Sequence, residues 1–212
     1  MNVAKKELLN LLPLKKPTFH TMKRPVKILI WILGILTGIA LLFYFVARPI
    51  LINNTKKHSP EQHITFEHPN NDLELKAFYC SPSKKGREIF GELVPYGEVW
   101  RTGANEATTI TTNKDLVVGG TDLSAGTYTL WTITNEATWD VIFNSKMYGW
   151  GVSMGMEASR EAEYDVAVAT VDVATNYAVT EDFTISFSES GANTVMLLSW
   201  DHVVVAVPLS VK

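Results

Sequence analysis

The densest chemistry in this 212-residue chain is the run Trp100-Arg101-Thr102-Gly103-Ala104-Asn105-Glu106. It sets an aromatic ring, a guanidinium, an amide and a carboxylate close together, and Gly97 and Gly103 permit sharp backbone turns around them. Arginine presents a planar fork that matches a carboxylate or phosphate, and an aromatic face gives a ligand something to stack on. Arg87, Tyr96, Trp100, Arg101, Asn105 and Glu106 are therefore expected to bind a ligand, with Trp150 of the glycine-rich loop Tyr148-Gly149-Trp150-Gly151 as an exposed binding aromatic. The competing reading is architectural. Arg101 and Glu106 would pair with each other, or with Arg87 and Glu98, to pin a long loop, and Trp100 would fill the core.

Hydrolytic chemistry has one pattern to offer. Gly151-Val152-Ser153-Met154-Gly155 fits Gly-x-Ser-x-Gly, and His202 lies downstream with Asp172 or Asp182 between, the chain order of an α/β-hydrolase triad. Such an elbow needs a strand before the serine and a helix after it, whereas the surroundings read as antiparallel strands. A hydrolase-like envelope enzyme is thus the alternative to a noncatalytic binding module. His58, His63 and His68, spaced by five, share no face of a strand or helix and read as solvated residues. The acids between Glu157 and Asp182 follow no calcium-loop spacing, and neither a phosphate-cradling loop nor a dinucleotide fingerprint occurs, so no metal site and no cofactor is expected. Cys80 is the one cysteine, which rules out an intramolecular disulfide.

These groups must be positioned by elements that charge and hydropathy divide sharply. Residues 1–27 carry seven Lys/Arg against Glu7 alone, while from His58 onward nine Lys/Arg face 21 Asp/Glu. An outer domain of that sign repels phosphate backbones, so nucleic acid is not an expected partner. From Ile28 to Ala47 the chain runs 20 residues without a charge, about 30 Å as a helix, with Trp31 and Tyr44 near its ends. This is read as a transmembrane helix. The basic excess ahead of it puts a cytoplasmic tail at 1–27 and sends the rest of the chain outside the cytoplasm. Residues 48–63, with Pro49 and Pro60 and no periodicity, are read as a linker, and 64–212 as the extracytoplasmic domain. A cleaved signal peptide is the rival reading, although FYFVARPI holds no Ala-x-Ala site. Met22 offers a second start with the same orientation.

Period-two alternation then recurs: Leu73 to Tyr79, Thr127 to Ile133, Trp139 to Phe143, Phe183 to Phe187. Gly119-Gly120, Ala125-Gly126 and Gly191-Ala192-Asn193 punctuate these segments as hairpin turns. The apolar phase through Tyr164, Val166 and Val168 changes at Val171 and Val173, which predicts a kink near Ala169-Thr170. Residues 194–207 are apolar on both alternating sets and predict a long central strand covered on both sides or crossing between sheets. Only Arg87–Val94 has helical spacing. The expected fold is all-β, an antiparallel β-sandwich or open barrel of about nine or ten short strands, preceded by one transmembrane helix.

The segment SPSKKGREIFGELVPYGEVWRTGANEATTIT (81–111), followed by LSAGTYTLWTI (123–133) and WDVIFN (139–144), resembles the bacterial family known as domain of unknown function 2911. The resemblance covers most of 64–208. It implies an exported, β-rich domain and carries no activity or catalytic residue with it. Together with the anchor it implies a bacterial inner-membrane protein with its C-terminal domain in the periplasm, taking a small-molecule, glycan or envelope-protein ligand.

Overall fold

The computed structural model describes residues 23–153 and 155–212; most of the basic tail, and Met154 of the Gly-x-Ser-x-Gly pattern, lie outside the described residues. The chain divides into two units, one ending at Ile50 and one running from Leu51 to Lys212.

Helix α1, Arg24–Leu42, starts with Pro25 in its first turn, where the missing N–H has no intrahelical partner to lose. A π-helical turn, Phe43–Ala47, leads into α2, Arg48–His58. The wide turn has a physical reason in Pro49, whose ring would press on the carbonyl four residues back in a regular helix. None of the α1 side chains is buried, and the run is long and apolar enough to cross a membrane, as an anchor or as a signal sequence. Part of the segment read as a linker is therefore helical. Lys56, Lys57 and His58 occupy the last turn of α2, where cations favour the negative end of the helix dipole.

The second unit is one ten-stranded sheet, entirely antiparallel where its named strands pair. Its strands are β1 (Glu61–Glu67), β2 (Glu74–Cys80), β3 (Val99–Trp100), β4 (Thr109–Thr112), β5 (Leu116–Val118), β6 (Thr121–Leu123), β7 (Gly126–Thr134), β8 (Thr138–Asn144), β9 (Asp165–Ser190) and β10 (Asn193–Val211). They run in the order β1-β2-β4-β7-β8-β9-β10-β5-β6, with β3 beside β7. The sheet curls until its two ends face one core: Tyr79 of β2 meets Phe183 of β9 at 5.7 Å, and its hydroxyl oxygen accepts the Ile185 amide N–H at 3.1 Å. Trp139, Phe143, Phe183, Leu198 and Trp200 are buried in that core. Trp131 points to the other face of β7, where Ala107 and Ile142 form a smaller cluster with Tyr148 packed on it.

Three local expectations change. The kink near Ala169-Thr170 does not form, because Ala167 and Ala169 face the core and stay in phase with Val171 and Val173. Tyr164, Val166 and Val168 point outward, at 38–40% exposure. The phase change lies instead in β10: Met196, Leu198 and Trp200 are buried before Asp201, and Val205, Val207 and Leu209 after it. Asp201 adopts φ 55° at a register shift, so a bulge flips the strand and both sets reach the same core. Arg87–Val94 is a series of turns, not a helix; Ile89 is buried, Phe90 packs on Trp139, and Gly91 at φ 94° interrupts the backbone. His68 is buried, its Nδ1 accepting the Asn70 amide at 3.3 Å, while His58 and His63 are exposed.

This phase assignment predicts unequal costs along β9. Phe183→Ala should lower stability by about 3–5 kcal/mol in urea unfolding, since the ring is fully buried. Val168→Ser should change it by less than about 0.5 kcal/mol. A costly Val168→Ser beside a mild Phe183→Ala would reverse the phase.

Candidate functional site

An open cleft of about 690 Å³ lies among the 82–95 turns, β3, the loop after β3 and the 152–158 loop. Val94, Pro95, Val99, Trp100 and Trp200 supply apolar lining, and Lys85, Arg87 and Arg101 supply cations; Glu98 is the one carboxylate in the lining among the described residues.

Trp100 is set by the short pairing of β3 with β7, Trp100 opposite Thr132. Its indole N–H donates to the Gly103 carbonyl at 3.1 Å, and its ring stacks on Trp200 at 5.8 Å and 18° and meets Phe183 edge-on at 4.9 Å. The loop that follows is wound tightly. Thr102 and Asn105 take φ 55° and 56°, and a side chain on Gly103 would stand 3.0 Å from the Cys80 carbonyl oxygen and 3.1 Å from Thr108 Oγ1. The Ala104 amide donates to that same Cys80 carbonyl at 3.1 Å, and Thr108 Oγ1 donates to the Thr102 carbonyl at 2.6 Å. Asn105 is buried, with Nδ2 donating to the Ser59 carbonyl at 3.2 Å.

Glu106 does not pair with Arg101. It accepts from Lys56 Nζ of α2 at 2.8 Å and from the Cys80 thiol at 3.3 Å. Burial alone would raise its carboxyl, but the Lys56 contact, its own amide and the thiol outweigh that and hold it below the usual range. The Cys80 thiol is pushed up to about 11, first by burial and then by the neighbouring carboxylate. Arg101 is half-buried and sits in no ion pair among the described residues. Nη1 donates to the Asn105 and Trp150 carbonyls, both at 3.0 Å, and its aliphatic stem runs against Gly151, where a Cβ would stand 3.1 Å from Cδ. Burial lowers the guanidinium from its ordinary value, with Cys80 and Glu106 opposing the change.

The cleft thus brings together Arg87, Trp100 and Arg101 of the residues singled out from sequence. Tyr96 lies outside it with its ring against Gly91, Asn105 and Glu106 serve the loop's framework, and Trp150 is half-buried and contributes its carbonyl to Arg101. Lys85 and Trp200 were not singled out. Lys84-Lys85-Gly86-Arg87 is a basic run in an acidic domain, a signal that could have marked Lys85; Trp200 is brought in by the fold from a distant strand, β10.

The hydrolase pattern is not assembled. Ser153 Oγ accepts the Gly155 amide at 3.2 Å, the His202 ring contacts the Asn176 carbonyl at 3.0 Å, and the serine follows an isolated antiparallel bridge between Val152 and Ala158 in place of a parallel strand. Among the described residues no group of three His, Cys, Asp or Glu is placed to hold a metal ion.

Residues 59–209 match the family model described as "Protein of unknown function (DUF2911)". No curated protein and no solved structure matches the chain.

The Lys56–Glu106 contact carries a pH signature. A carboxyl held low in the folded chain stabilises fully above its unfolded value and loses that contribution as pH falls through the folded one. The stability difference between wild type and Glu106→Gln should be flat above about pH 6 and shrink below about pH 4.5. A difference unchanged down to about pH 3 would mean that the carboxylate contributes nothing.

Proposed function

The chain belongs to the DUF2911 family of proteins of unknown function, and we propose that this member is a membrane-tethered binding module that holds a small molecule in the Trp100–Trp200 cleft outside the cytoplasm. The observation that carries this reading is the cleft itself. Its volume falls within the roughly 300–1,000 Å³ typical of small-molecule sites, and it combines an apolar lining with a few placed polar groups. The rigidity of its walls supports the same reading: Trp100 is held by stacking and by a hydrogen bond, and Arg101 by two carbonyls, so both groups stand ready without further ordering. The placement outside the cytoplasm rests on the uncharged run Ile28–Ala47 and the basic excess before it. In this reading α1 is an uncleaved anchor in the bacterial inner membrane, and the β-rich unit lies in the periplasm.

Two measurements test the proposal. With full-length protein in phosphatidylcholine nanodiscs, a small-molecule screen read by tryptophan emission and thermal shift should yield a ligand, because Trp100 and Trp200 line the cleft. Ala104→Phe, which adds bulk at a lining position, should abolish its binding. Ligands that bind Ala104→Phe and wild type equally would place binding elsewhere. A reporter active only outside the cytoplasm, fused after Lys212, should be active; activity from a cytoplasm-only reporter would overturn the orientation.

A further inference from the structure

We propose that the cleft takes a small amphiphile with one anionic head, a carboxylate or phosphate, gripped by Arg101 while its apolar part lies along Trp100, Leu93 and Met156. This rests on the reading of the cleft as a binding site and adds the chemistry of its occupant. The domain is strongly acidic, yet its cations are distributed unevenly. Lys56, Lys76, Lys84, Lys146, Arg160 and Lys212 all sit in ion pairs; of the five cations that sit in none among the described residues from Leu51 onward, Lys85, Arg87 and Arg101 line the cleft together, while Lys57 and Lys114 lie outside it. A half-buried guanidinium without a counter-charge carries a desolvation cost that an anion would relieve. The geometry suits such an anion. Nη1 is committed to two backbone carbonyls, which fix the plane, while Nε and Nη2 have no hydrogen-bond partner among the described residues. That edge is the one that meets two oxygens of a carboxylate or phosphate side by side. Arg87 spends Nε and Nη2 on the Lys84 and Ser83 carbonyls and adds charge, and Lys85 adds more, its Nζ 3.4 Å from His58 Nδ1. The apolar lining beside these groups excludes a purely ionic ligand as the best fit, since a bare anion would leave the exposed Leu93 and Met156 facing water.

The test uses the full chain in phosphatidylcholine nanodiscs and isothermal titration with octyl phosphate, octanoate and octanol, empty discs serving as reference. Both anions should bind at least about tenfold more tightly than octanol, and their binding should weaken as salt rises from about 0.05 to 0.5 M. Arg101→Lys should weaken octyl phosphate and leave octanol unchanged; the double variant Lys85→Gln/Arg87→Gln, at exposed positions, should do so without loss of fold, and Lys114→Gln, outside the cleft, should have no effect. Competition from phosphatidylglycerol in the disc would assign the anion to a membrane lipid, and its absence to a free amphiphile. Octanol binding as tightly as the anions, and lost in Ala104→Phe, would overturn the anionic head and leave the binding module standing. If none of the three binds, while a screened ligand still depends on Ala104, the amphiphile is overturned alone; if no ligand depends on Ala104, both readings fall.

Discussion

Trp100 is held from two sides, by its indole N–H on the Gly103 carbonyl and by the stacked face of Trp200, and the cleft follows from that double constraint. Bending back to place the Gly103 carbonyl under the indole requires a tightly wound loop, which Thr102 and Asn105 accomplish in left-handed conformations and Gly103 by having no side chain to strike Cys80. The same winding fixes where Arg101 points and which carbonyls it meets. An aromatic group that joins the core on one face and lines the cleft on another therefore couples the two: Phe183, Trp139 and Phe90 around Trp100 are packing partners for the fold and, at one remove, the wall of the site.

The strands were legible in the sequence wherever alternation combined large apolar residues with polar ones, as in Leu75, Ala77 and Tyr79 of β2. The reading failed where size and burial parted company. In β9 the larger Val166 and Val168 face outward and the small Ala167 and Ala169 face in, because the β5–β6 turn comes against this stretch and leaves little room: a side chain on Gly119 would stand 2.2 Å from the Val168 carbonyl oxygen. Hydropathy alone ranks valine above alanine and so assigns the wrong face. In β10 both alternating sets are apolar, which hides the phase change at Asp201; the clue is the polar pair Asp201-His202 inside an otherwise apolar strand, a place where a bulge costs little.

The candidate site was legible by composition and not by role. Arg, Trp, Asn and Glu crowded around glycines mark a loop with special backbone geometry, and the loop is there. Residue type could not separate the members that face the cleft from those that hold the loop. Arg101 and Trp100 line it, whereas Asn105 spends its amide on Ser59 and Glu106 its carboxylate on Lys56 and Cys80. The architectural reading thus holds for Asn105 and Glu106, while Trp100 and Arg101 are left lining the cleft. What divides them is the partner each finds across the fold, and those partners lie some 26 to 50 residues earlier in the chain, beyond the reach of local spacing.

Two of those partners belong to the segment between the apolar helix and the sheet. Lys56 lies in the last turn of α2, and Ser59 follows directly, so the chain leaving the helix is fastened to the loop by an ion pair and by a buried amide. The adjoining His58 and Ser59 also line the cleft. A passive tether would make no such contacts. The ion pair is partly exposed and contributes little by itself, but the Asn105–Ser59 bond is buried, and breaking it would leave the amide without a partner in a loop whose conformation already depends on a left-handed residue at that position. The segment read as a linker therefore forms one wall of the cleft, and the conformation of Arg101, whose Nη1 is bound to the Asn105 carbonyl, depends on the chain at residue 59 being in place.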